Sequence, residues 1–170
     1  MRNIFFVLML FVFFLLQVTV LNYFQSLHVT LDLLFIFVFL VSIYLAQTPA
    51  LILSMASGFL KDMAGIEGFG IFILLFPLWS LLIIRLSKKI VLENFLFASI
   101  AMGVIAFLHA ILVRIMVHFD GSFISWPTFF RISTLESLYA ATLLPAVMLL
   151  ISTLRLTAYP AHTTRQEESL

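Results

Sequence analysis

The sequence predicts an all-α polytopic membrane protein, and three observations point there. The chain of 170 residues is 64% hydrophobic and only 10% charged, whereas soluble domains run roughly 45–50% apolar and about 25% charged. It carries 20 phenylalanines, many inside long runs with no charge at all. Those runs recur at the length of a bilayer crossing, which takes about 20 residues at a rise of about 1.5 Å each.

Six segments follow from this spacing: residues 4–21, 31–47, 49–61, 69–86, 92–117 and 134–156. Together they form a single transmembrane domain over 1–156, followed by a polar tail, 157–170, assigned to the cytoplasm. The first run exceeds a signal-peptide core and is followed by Asn22, Tyr23, Phe24 and Gln25, not by a small-residue cleavage site, so it reads as a retained helix. The third is the short one. It covers less than the roughly 30 Å hydrocarbon core, so either it spans a thinned bundle or it re-enters on one side.

Basic residues choose between those two. With six crossings and both termini inside, Arg2, Arg85, Lys88, Lys89, Arg155 and Arg165 face the cytoplasm, six of the nine Lys and Arg. Lys61, Arg114 and Arg131 face out. A re-entrant third segment separates Arg2 from the Lys88–Lys89 loop and removes the bias. Six crossings are therefore expected.

Between lipid-facing helices, small residues mark close packing. Ala50, Ser54 and Gly58 recur every fourth residue, and Asp62 continues their stripe onto a packed face. The fifth segment repeats the pattern with Gly103, Ala106 and Ala110, ending at Arg114, and the sixth has Ser137 and Ala141. Both stripes end in a charge near the outer side, so Asp62, Arg114 and Glu136 are expected to meet in an outer polar cluster. The first helix lacks Gly and Ala and is expected to be peripheral and lipid-facing, or to offer a partner surface of large side chains.

No arrangement of residues suggests catalysis. His109 stands outside any metal-ligand spacing and reads as a structural histidine; Ser57 has no GxSxG around it; Asp32 and Asp62 lack the glycine-flanked pattern of intramembrane aspartyl proteases. No cofactor, metal or nucleic-acid partner is expected, and a net charge of +1 agrees with that. Ser133 to Glu136 reads as a capping box opening the sixth helix. Just before it, Trp126, Phe129 and Phe130 are expected to lie along the outer interface as a ledge for a partner. Pro77 and Pro145, mid-helix, shape the packing.

Two stretches carry a family resemblance: "LDLLFIFVFLVSIYLA" at 31–46 and "GFLKDMAGIEGFG" at 58–70. With the six-segment layout, they resemble the MreD family of bacterial rod-shape-determining membrane proteins. That family's G-x-x-x-D-x-x-x-G-x-x-x-G-like hairpin is matched by Gly58, Asp62, Gly65 or Gly68, and Gly70, while Leu31 replaces its usual proline. The resemblance implies a non-enzymatic inner-membrane component of the cell-elongation machinery, binding MreC and helping to position peptidoglycan synthesis. It also implies a fold like the substrate-binding components of energy-coupling-factor transporters. The alternative function that follows is small-molecule capture, beneath the outer loops.

Overall fold

The computed structural model describes residues 2–19, 32–64, 70–89, 94–119 and 125–153, and every described element is a helix. The order is α1 (Arg2–Thr19), α2 (Leu33–Tyr44), α3 (Gln47–Ala64), α4 (Ile71–Ser87), α5 (Phe95–Phe119) and α6 (Trp126–Thr153). Gly65, Gly68, the polar break before Asp32 and the tail 157–170 lie outside the described residues.

By length and composition, α5 and α6 each hold a stretch able to cross a membrane, Phe95–Met116 and Pro127–Thr153. The apolar helices Asn3–Thr19, Leu33–Tyr44 and Ile71–Ser87 are shorter.

At the centre stands α2, buried from Leu33 to Ile43. Its sequence explains why. It is apolar on every face, and a helix that is hydrophobic all round belongs inside. Around it lie α1, α3 and α4, with the α5–α6 pair on the remaining side. Its one buried hydroxyl is satisfied twice: Ser42 donates to the Val38 carbonyl and lies 2.8 Å from the Ser80 hydroxyl on α4. The outer helices instead present large apolar side chains outward, among them Phe11 on α1, Leu78 on α4 and Leu96 on α5. Such a surface suits lipid.

Three helices depart from expectation at their ends, each for a local reason. The short helix is α2, with 12 residues and about 18 Å, not α3, which has 18 residues and about 27 Å. Asp32 cannot join α2 because its carboxylate accepts the Phe35 N–H at 3.0 Å and makes it the N-cap. Pro49 does not delay α3: it occupies the first turn, where a missing N–H leaves no bond unmade. At the other end α3 runs on to Ala64, three residues past the expected end, and so includes Asp62.

The third difference is α6. It opens at Trp126, eight residues ahead of the expected start. The Ser125 carbonyl accepts the Phe129 N–H at 3.0 Å, its hydroxyl pairs with that of Thr128 at 2.8 Å, and Pro127 fits the first turn. Ser133 and Glu136 are thus interior to the helix and form no capping box. Of the expected aromatic ledge, these first turns of α6 carry all three residues, and the side chain of Trp126 lies outside the described ones. Phe129 is buried, while the neighbouring Phe130 is half exposed, its ring edge-on to that of Phe129 with centroids 5.3 Å apart.

Candidate functional site

Polar side chains gather where α1 and α3 end and α2 and α4 begin. Two separate constructions share that end of the bundle.

The first is a cap. Both oxygens of Asp62, on the last turn of α3, accept backbone N–H groups of α4: Phe72 at 3.1 Å and Ile73 at 2.9 Å. These are two of the four amides that the start of a helix leaves without partners. A carboxylate is favoured there by the helix dipole as well. Gly70 takes up the left-handed conformation, φ 102°, at the N-cap of α4, which is open to glycine and strained for other residues. One turn before Asp62, Gly58 lets the two backbones touch. A methyl group at Gly58 would overlap the Phe72 carbonyl and come within 2.8 Å of the Ile73 Cα. The stripe Ala50, Ser54, Gly58 and Asp62 is buried along its length. Ser57 beside it donates to the Leu53 carbonyl at 2.6 Å, a local bond that occupies its hydroxyl within the helix.

The second is an ion-pair cluster at the N-terminus of α2. Lys61 pairs with Asp32, and each side chain is about a fifth exposed. From α1, Gln17 accepts the Leu34 N–H at 2.9 Å and directs its amide toward Asp32 at 3.5 Å. The Lys61 ammonium also sits 4.0 Å from the centre of the Phe72 ring, a cation–π contact. From α5, His109 enters the same place with Nε2 at 3.7 Å from Asp32, longer than a hydrogen bond. Its ring lies flat on Phe35, centroids 4.1 Å apart at 10°, with Phe72, Phe76 and Trp79 at about 6 Å. Among the described residues Nδ1 is buried without a partner. His109 is therefore packed chiefly by rings.

The expected outer cluster divides. Asp62 spends its carboxylate on α4, and Arg114 pairs with Glu136 at 3.4 Å, joining α5 to α6. The partner of Lys61 is Asp32, 29 residues earlier. Composition and periodicity carry no signal for a contact at that separation. A weaker one existed for Gln17, a polar residue interrupting the last turns of an otherwise apolar helix. Along α5, Gly103 sets its Cα against Ala141, where an added Cβ would lie 3.3 Å from the alanine methyl. No three His, Cys, Asp or Glu side chains among the described residues form a group that could hold a metal.

Comparison of the chain with protein-family models, with curated proteins and with solved structures finds no match.

Proposed function

We propose that this chain is a six-crossing, non-enzymatic scaffold of the bacterial inner membrane that binds MreC and helps position peptidoglycan synthesis in the elongation machinery. One observation carries the reading. Gly58, Asp62 and Gly70, the residues behind the resemblance to the MreD family, work together in one device, the junction of α3 with α4. A motif spent on holding two helices belongs to a protein whose product is its shape. Apolar helices of alternating direction and the exposed Arg85, Lys88 and Lys89 at the opposite end agree with six crossings and a cytoplasmic basic side.

The test is recovery of the tagged chain from detergent-solubilised membranes of a rod-shaped bacterium together with the MreC encoded beside it. A stable complex is expected, with rounded cells on depletion. A chain purified without MreC, from cells that stay rod-shaped when it is depleted, contradicts the proposal.

A second reading is favoured by the ion-pair cluster. Charged residues at membrane depth commonly mark a pathway or a ligand site, and Asp32, Lys61 and His109 converge there. This reading makes the chain the substrate-binding part of a small-molecule transporter. It requires a ligand that raises the melting temperature of the purified protein in a screen of vitamin-type compounds, with the rise abolished by Asp32→Asn. A screen without a hit sets the reading aside.

A further inference from the structure

We propose that the α5–α6 hairpin is a movable unit that opens from a body made of α1–α4, and that His109 is the latch holding it closed. The proposal is independent of which partner or ligand the chain takes.

The first observation is how the helices meet. α5 and α6 lie close along their length, joined by the Gly103–Ala141 approach and the Arg114–Glu136 pair. Among the described residues, α2 is the body helix whose backbone comes near either of them; those of α1, α3 and α4 do not. The body is knit differently, since α2, α3 and α4 all pack on one another and α1 packs on α2 and α3. Its internal bonds are also of another kind: Asp62 to two amides of α4, Gln17 to an amide of α2, Lys61 to Asp32.

The second observation is what crosses the seam. In lipid there is no hydrophobic drive to press one helix pair on another, so docking rests on side-chain packing and polar contacts. Among the described residues, His109 is a polar side chain that α5 places against the body. It stacks on Phe35 of α2 and enters the ring set of Phe72, Phe76 and Trp79 on α4. The contact is a plug in a socket: the rest of the seam is apolar packing, such as Met102, Ile105 and Leu144 in the shared core, for which lipid is an alternative neighbour, so withdrawing the imidazole removes the specific contact across it. It also withdraws the group beside Asp32, so opening uncovers the Asp32–Lys61 pair.

The chain has no cysteine, which makes site-directed spin labelling direct. One label pair spans the seam at two outward-facing positions, Val104→Cys on α5 and Leu78→Cys on α4. A control pair lies within the body, Met55→Cys on α3 with Leu78→Cys. Distances are measured by pulsed electron resonance in lipid nanodiscs. The expected wild-type result across the seam is a main distance with a minor longer one. His109→Ala should enlarge the longer population several-fold and leave the control pair unchanged. His109→Phe, which keeps a ring in the socket, should restore the main distance. Should His109→Ala fail to fold, His109→Gln is read in its place. An unchanged seam distribution in the ring-less variant overturns the proposal, as does equal broadening of both pairs, which would make His109 a general packing residue.

Discussion

The α3–α4 and α5–α6 hairpins are both made of apolar helices laid side by side, yet they are locked by different means. In α3–α4 the lock reaches the backbone. Asp62 satisfies two α4 amides, and Gly58 rests against the Phe72 carbonyl with no room for a side chain. In α5–α6 the lock stays at the side chains: an alanine methyl faces Gly103, where an added Cβ would meet it at 3.3 Å, and one Arg114–Glu136 pair has each partner a little under a fifth exposed. Backbone-level locks tolerate almost nothing, while side-chain locks tolerate repacking. The difference teaches which residues carry specific information, and it ranks the substitutions that would break it.

The largest effect belongs to Gly58→Val. The new side chain has backbone on its far side, which cannot step aside as a flexible side chain can. A loss above about 4 kcal/mol is expected, so that the protein fails to accumulate folded in membranes. Size-exclusion profiles of the solubilised variant check this, and a wild-type profile refutes the close approach.

Asp62→Ala comes next. It leaves the Phe72 and Ile73 amides without acceptors inside the bundle, at about 3 kcal/mol for the pair. Unfolding by sodium dodecyl sulfate in mixed micelles reads it. Asp62→Asn retains one acceptor oxygen and should recover part of the loss.

Lys61→Met removes the cation from Asp32. A fully buried pair broken this way costs about 3–5 kcal/mol, and partial exposure lowers that toward about 2 kcal/mol. The double variant Asp32→Asn with Lys61→Met should be less destabilised than the two single losses added together. Additivity would mean that the two residues do not act as a pair.

The smallest effect is that of Gly103→Ala. Its methyl needs a few tenths of an ångström from Ala141, and a change below about 1 kcal/mol of either sign is expected in the same unfolding assay. A collapse like that of Gly58→Val would erase the contrast between the hairpins.

The same contrast explains what could be read without coordinates. Helix positions along the chain were legible because long apolar runs of fixed length leave few choices. The buried stripe Ala50, Ser54, Gly58 and Asp62 was legible because four-residue spacing keeps one face. Helix ends were less so, though the signals stood in the sequence. An aspartate before an apolar run is an N-cap, as Asp32 is for α2, and a proline favours the first turn, as Pro49 and Pro127 do. The capping box at Ser133 obeyed the same rules, but a start near Pro127 also satisfied them and was chosen by the fold. What Asp62, Lys61 and His109 touch was illegible. Each could reach several charged or aromatic groups, and the choice is made by how helices distant in sequence are packed. Asp62 in particular resembled half of an ion pair with Arg114, whereas the start of α4 lies nearer to it and claims both oxygens.

The central claim is that Asp62 is the cap that locks α4 onto α3. Hydrogen exchange at the Phe72 and Ile73 amides tests it most directly, in nanodiscs, for the wild type and Asp62→Ala, with the α5 amides of Ala98 and Met102 as reference. The account predicts slow exchange at both α4 amides in the wild type, acceleration of at least about tenfold in Asp62→Ala for each 1.4 kcal/mol lost, and no change at the α5 reference. Equal protection of Phe72 and Ile73 in the two proteins would contradict it.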